Sequence, residues 1–276
     1  MNLRGKTILM SGGSRGIGLA IALKAAADGA NVAMLAKTDT PHPRLAGTIH
    51  TAADAIRQAG GRALPILGDV RDDADIARAV EETQHRFGGI DIVVNNASVI
   101  DLSRTLELSE KKYDLMQDVN VRGTFMLSRA AIPLLREAEN PHILSLSPPL
   151  NPTEKWLGAH TGYTLAKFGM TLATLGVAAE FRRDGIAANT LWPKTTIATA
   201  AVQNLLGGDR VMAASRTPAI YADAAYAVLC APAGARTGQS LIVEDVLADA
   251  GVTDLSGYAA VPGTPDAELF PDVFLD

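Results

Sequence analysis

Two side chains in this sequence are spaced to work as a chemical pair. Tyr163 and Lys167 lie four residues apart in Tyr163-Thr164-Leu165-Ala166-Lys167, so on a helix they share one face. A free phenol loses its proton at about pH 10. An ammonium beside it favours the phenolate and draws the titration toward neutrality. Such a phenol gives a proton to a carbonyl oxygen or takes one from an alcohol. The second chemical cluster is Ser11-Gly12-Gly13-Ser14-Arg15-Gly16-Ile17-Gly18. Gly12, Gly16 and Gly18 allow a tight turn and close approach of backbone to a dinucleotide pyrophosphate. A helix starting there adds unpaired N–H groups and a partial positive charge, with Ser14, Arg15 and Ile17 at the contact.

These residues need elements to hold them. Residues 6–11 read as a buried strand ending in the glycines, and residues 16–28 as a helix with Ile17, Ala20, Ile21 and Leu23 at helical spacing. Strand patterns recur at 31–36, 63–69, 90–95, 142–147, 186–192 and 240–244. Helical patterns fall at 45–59, 72–87, 109–139, 162–183 and 220–229, and residues 38–43 and 194–218 read as loops. Pro133 is expected to bend or divide the long helical region. Near-continuous apolar strands alternating with helices predict an α/β fold, a single doubly wound Rossmann-type domain with a parallel sheet of about seven strands. The domain is expected over residues 1–250.

Composition narrows the function. The chain has 276 residues, 47% hydrophobic and 20% charged, enough apolar material for one large core. Its one cysteine, Cys230, argues against a disulfide framework or a cysteine-rich metal site and suits a reducing, cytoplasmic compartment. The five histidines show no ligand spacing, so no metal is expected. A net charge of −5 argues against nucleic-acid binding. No apolar run is long enough for a membrane span, and the start has no signal-peptide layout. All 25 Lys and Arg lie at or before Arg236, whereas eight acids follow it. Residues 251–276 are therefore expected to form an acidic tail. Its Phe270, Val273, Phe274 and Leu275 favour packing on the domain or a neighbouring subunit over free solvation.

The glycine spacing resembles that of the short-chain dehydrogenase/reductase family. Three further segments are similar to that family: Asn95-Asn96-Ala97-Ser98, with Ser98 where the family has glycine, Asn120 within D-V-N-V-R-G-T-F, and the Tyr163–Lys167 pair. The resemblance covers about residues 4 to 250. The stretches at 41–51, 146–151, 191–195 and 274–276 look like its hydroxysteroid dehydrogenase-like protein 2 branch. Some members of that branch add a sterol-carrier domain, for which this chain is expected to have no room. The resemblance implies hydride transfer between a nicotinamide cofactor and a small carbonyl or alcohol, in a homo-oligomer (dimer or tetramer). It makes Tyr163 the proton donor and Lys167 the holder of the nicotinamide ribose. It gives Asn120 a water that relays the proton, and Asn96 and Ala97 cofactor contacts. Pro193, Thr195 and Thr196 then touch the nicotinamide half, with Lys194 in place of the usual glycine. Asp69 and Val70 touch adenine.

The cofactor choice follows from charge. An acid ending the second strand binds the ribose hydroxyls of NAD, but here Ala36 is followed by Lys37. Lys37 and Arg15, with no carboxylate, suit a 2′-phosphate, so NADP(H) is preferred over NAD(H). One departure stands against activity. The family serine that hydrogen-bonds the reacting oxygen falls on Pro148, in Ser145-Leu146-Ser147-Pro148-Pro149. Losing a comparable donor costs about 10²–10³ in rate. Either Ser147 is turned by the prolines into that role, another donor such as His160 substitutes, or turnover is slow. A catalytically weak NADP(H)-binding sensor or scaffold is the alternative to a working oxidoreductase. The apolar residues within 197–220 suggest a lid over an apolar or lipid-like substrate. Membership of a larger lipid-handling assembly rests only on the tail.

Overall fold

The computed structural model describes residues 1–41 and 47–275. Residues 42–46, which carry part of the expected 38–43 loop and 45–59 helix, lie outside the described residues, as does Asp276. Seven strands form one parallel sheet: β1 (Thr7–Ser11), β2 (Asn31–Ala36), β3 (Arg62–Leu67), β4 (Ile92–Asn95), β5 (His142–Ser145), β6 (Ala187–Trp192) and β7 (Ser240–Ile242). Their order is β3-β2-β1-β4-β5-β6-β7. Direction of travel reverses between β1 and β4, which opens a crevice at the carboxyl ends of the strands. Pro65 is tolerated because β3 is an edge strand.

Alternation along the strands divides the core into two faces. Ile8, Met10, Val32 and Met34 pack under α1 (Gly16–Ala27), α2 (Ile49–Gln58), α9 (Pro218–Cys230) and α10 (Val243–Asp249). Leu9, Ala33 and Leu35 point the other way, onto α3 (Asp73–Phe87), α5 (Gly123–Leu135) and α7 (Thr161–Glu180). Capping sets several helix ends. Asp72 accepts from the Ala74 and Asp75 amides at the start of α3, and Gly88 ends that helix in the left-handed conformation.

The long helical region divides in a different place from the one Pro133 predicts. α4 (Glu110–Met116) passes into a π-helical segment, Gln117–Arg122, and then into α5. Pro133 sits inside α5 without breaking it. It removes one backbone hydrogen bond, to the carbonyl of exposed Arg129, where water can replace the lost donor. The final strand is also shorter than expected, since Glu244 belongs to α10. The expected loop at 194–218 contains a helical turn at Val202–Leu206 and α8 (Gly208–Ala213), and α6 (Glu154–Ala159) precedes α7. Among the described residues, no helix is long and apolar enough to cross a membrane, and no three His, Cys, Asp or Glu side chains gather as a metal site.

Candidate active site

A polar row crosses the carboxyl ends of the strands, because Ser11 pairs with Asn95, Asn95 with Ser145, and Ser145 with Thr190 in register. Asn95 Nδ2 donates to Ser128 and Ser145, and Thr174 donates to Ser145 at 2.7 Å. The sheet is thereby tied to α5 and α7, the helices that flank the chemistry.

The glycine loop lies between β1 and α1. Gly12 and Gly16 have φ of +74° and +58°, which glycine adopts without strain. A Cβ on Gly18 would stand 2.6 Å from Asn96 Nδ2 and 2.8 Å from the Gly12 carbonyl. Asn96 turns its side chain into this loop, donating to the Ser11 and Gly12 carbonyls, while the Asn96 and Ala97 amides donate to Ser11 Oγ. Asn96 and Ala97 therefore shape the cradle directly. No side chain caps the α1 N-terminus, and no acid lies in its first turn. Its first amides, with Gly16, Ile17 and Gly18, are left for an anion. Ser14 is buried beside them.

The adenosine end differs from expectation. Lys37 does not stand without a carboxylate: its Nζ lies 3.0 Å from Asp69 Oδ2. Arg71 grips the same carboxylate at 2.6 Å, and this hydrogen bonding holds the Asp69 carboxyl well below its ordinary range. Arg15 reaches the Gly47 carbonyl at 3.0 Å, and its Nε is buried without a partner among the described residues. Two cations thus hold the Asp69 carboxylate, with Arg15 on the neighbouring Gly47 carbonyl. Val70 is buried against Gly123.

On α7, Tyr163 and Lys167 are almost fully buried, at 4% and 3% exposure. Lys167 Nζ donates to the Leu146 carbonyl at 2.8 Å and stands 5.1 Å from the centre of the Trp192 ring. The sequence predicts a phenol drawn toward neutrality by its lysine; burial dominates and pushes Tyr163 the other way, with the Asp272 carboxylate adding to the rise. Burial likewise lowers the Lys167 ammonium, to about 7, against the opposing pull of Asp272. Desolvation pushes the half-buried Asp272 carboxyl up as well.

Asn120 sits in the π-helical segment, fully buried. Its amide forms a double hydrogen bond with Val99, accepting from the Val99 amide at 2.8 Å and donating to its carbonyl at 3.0 Å. These two bonds tie the side chain to the loop after β4. Ser147 is fully buried, its Oγ 3.0 Å from Thr171 Oγ1, which also donates to the Pro148 carbonyl. Among the described residues no hydrogen bond joins Ser147 to Tyr163. His160 enters α7 with Nδ1 2.6 Å from the Leu102 carbonyl.

After β6, the Lys194 amide donates to Glu244 at 2.9 Å and Thr196 Oγ1 lies 2.8 Å from Ser215 Oγ. Thr195 Oγ1, two residues beyond Pro193, is buried without a partner among the described residues.

The model of the short chain dehydrogenase family matches residues 6–208. The chain belongs to the short-chain dehydrogenase/reductase family. It is 54% identical to hydroxysteroid dehydrogenase-like protein 2 of Danio rerio over 99% of its own length, and it spans 65% of that relative. A short chain dehydrogenase from Mycobacterium thermoresistibile superimposes with TM-score 0.94 at 58% identity, over all of this chain and 96% of that one. A Xanthomonas campestris chain described as a dehydrogenase gives TM-score 0.96 at 54% identity over both full lengths.

Within this short-chain dehydrogenase frame, four site residues escape the motifs. Thr199 lies 3.5 Å from where a Cβ on Gly16 would stand, so it faces the cradle from the segment after β6. Trp192, Asp272 and Phe274 enclose the Tyr163–Lys167 pair. Trp192 and Phe274 lie in stretches that resemble the hydroxysteroid dehydrogenase-like branch, Asp272 is one of the counted acids, and Thr199 carries no sequence signal.

Proposed function

We propose that this chain is an NADP(H)-dependent oxidoreductase that interconverts an apolar, lipid-like carbonyl compound and its alcohol. The observation that carries the reading is the uncapped α1 N-terminus behind Gly12–Gly18, at the same sheet end as buried Tyr163 and Lys167. The orphaned Thr195 Oγ1 and Arg15 Nε fit a ligand rich in phosphate and amide groups. The backbone of Gly12, Ser14, Gly16, Ile17 and Gly18 would hold the pyrophosphate. Arg15 and Lys37 would take the 2′-phosphate, and Asp69 and Val70 would border adenine. Ala97, Pro193, Thr195 and Thr196 would border the nicotinamide half. When bound, that cofactor supplies or accepts the hydride.

The chain's own part is the proton. A phenol raised above its ordinary range stays protonated at neutral pH, which suits Tyr163 as donor to a carbonyl oxygen in the reducing direction. The Lys167 ammonium lowers the cost of the phenolate left behind. Asn120 holds the loop after β4 in place. The name of the Danio rerio relative, hydroxysteroid dehydrogenase-like, agrees with an apolar substrate class.

The test pairs an NADPH fluorescence titration with NADPH consumption over a panel of aldehydes and ketones. Binding with turnover is expected, and Lys37→Ala should weaken NADPH several-fold more than NADH; equal loss for both removes the NADP(H) preference. A second reading, an NADP(H)-binding sensor or scaffold of weak activity, is favoured by Pro148 and by Ser147 turning to Thr171. NADPH binding without turnover of any carbonyl would establish it. Exposed Phe125, Leu165 and Leu172 on α5 and α7 support a homo-oligomer, dimer or tetramer, which native mass would read. A cytoplasmic site accords with the single cysteine.

A further inference from the structure

Phe274 is only 2% exposed although it stands two residues from the end of the chain. Its ring centre lies 5.9 Å from that of Tyr163, 5.8 Å from Trp156, 5.4 Å from Phe168 and 6.1 Å from Trp192. These partners belong to α6, α7 and the end of β6, and none to the glycine loop. The ring therefore packs directly beside the Tyr163 ring, within a cage of aromatic side chains. A carbonyl that takes its proton from Tyr163 must bring its attached group close to this ring.

The ring is held firmly. Residues 270–274 form a ribbon against the segment after β6: the Phe270 amide donates to the Ala214 carbonyl, the Thr196 amide to the Phe270 carbonyl, and the Asp272 amide to the Lys194 carbonyl, at 2.7–2.9 Å. Trp192 Nε1 donates to the Val273 carbonyl at 3.0 Å, and Asn151 Nδ2 to the Phe274 carbonyl at 3.2 Å. Farther back, Arg216, 3% exposed, pairs with Asp266 at 2.7 Å. Phe274 has φ of +74°, the single non-glycine residue with positive φ among the described residues. That conformation costs free energy and persists only where surrounding contacts over-determine it. A ring anchored on both sides of its backbone, at the price of that conformation, is a wall of the site.

We propose that Phe274 is a specificity-determining residue: its ring occupies the space beside Tyr163, so the site admits a carbonyl on an unbranched apolar chain and turns away one attached to a ring. This rests on the reductase reading above and narrows its substrate class. The four surrounding rings line this space with aromatic carbon, which favours an apolar replacement for Phe274. Removing the phenyl group leaves a cavity lined by aromatic rings, which a planar ligand of similar size can enter.

The molecule provides its own probe of this cage. Both of its tryptophans, Trp156 and Trp192, flank Phe274, so their fluorescence reports on it. NADPH-loaded wild type, Phe274→Ala and Phe274→Leu would be titrated with benzyl alcohol by tryptophan quenching. They would also be assayed with hexanal and benzaldehyde. The kcat/KM ratio of benzaldehyde to hexanal should rise about tenfold or more in Phe274→Ala and less in Phe274→Leu. Saturable quenching by benzyl alcohol should appear in the variants and not in wild type, with NADPH affinity unchanged in both. If Phe274→Ala fails to fold, Phe274→Leu decides. A wild type that handles both aldehydes alike, with ratio and quenching unmoved by either substitution, overturns the proposal. A wild type that binds no NADPH or turns over neither aldehyde defeats the reductase reading instead, and quenching then settles the place of Phe274 by itself. Quenching in the variants alone keeps the wall, and its absence from them removes it.

Discussion

The two halves of the crevice are built on different principles. The cradle half is local: Ser11 to Gly18 supplies turn, helix start and backbone donors within one βα unit, and Asn96 pins it from the adjacent strand. The reaction half is assembled from distant parts. Tyr163 and Lys167 come from α7, Trp192 from β6, Asn120 from a π-helical break, and Asp272 and Phe274 from the far end of the chain. A local half is written in a short motif and tolerates little change in backbone. A composite half leaves single residues free to differ, as Pro148 does, while still burying Tyr163 and Lys167. Electrostatics differ likewise. The cradle half sets exposed Lys37 and half-buried Arg71 around one carboxylate, whereas the reaction half sets buried Lys167 near half-buried Asp272 and shifts both toward their neutral forms.

Substitutions in each half should therefore fail in different ways. The largest effect belongs to Tyr163→Phe, which should keep NADPH binding and lose about 10²–10⁴-fold in carbonyl turnover. NADPH consumption under saturating cofactor reads it, and turnover within threefold of wild type would move the proton donor elsewhere. Gly18→Ala should do the reverse. Its new Cβ would stand 2.8 Å from the Gly12 carbonyl, backbone that cannot step aside. NADPH affinity should fall about tenfold or more with a lower Tm, since small-to-large changes in tight packing cost about 1–3 kcal/mol. An unchanged titration curve would show that the loop is not the cradle.

Asp272→Asn sharpens the contrast through pH. A carboxylate near Lys167 favours its charged form, so removing it lowers the ammonium further from about 7. The alkaline loss of reductase activity should then set in about one pH unit lower. A limb that stays in place, or moves upward, would separate Asp272 from the pair. Ser147→Ala should have the smallest effect, with kcat within about threefold of wild type, because its hydroxyl is engaged with Thr171. A larger drop in kcat at unchanged Tm would restore Ser147 as an oxyanion donor.

Much of the local half was legible in the sequence. β2 runs over the expected 31–36, and α1 starts at the expected Gly16, because buried parallel strands are unbroken apolar runs and glycine clusters mark their ends. What escaped was set by tertiary contacts. The helix break falls at Gln117–Arg122 instead of Pro133, since a proline near a helix end loses one solvated hydrogen bond while a π-helical insertion has no compositional mark. The fate of the Tyr163 phenol depends on burial by Phe274 and Trp192, which no four-residue spacing conveys. The Lys37–Asp69 pair joins the ends of two strands 32 residues apart, so charge counted along the chain missed the carboxylate.

The central claim is that both halves serve one dinucleotide. A crystal structure of the protein soaked with NADPH tests it most directly. The pyrophosphate should lie on the α1 N-terminus between Gly12 and Gly18, with the nicotinamide ring against Tyr163 and Lys167. A crevice that stays empty at saturating NADPH, or a ring lodged away from Tyr163, would contradict the account.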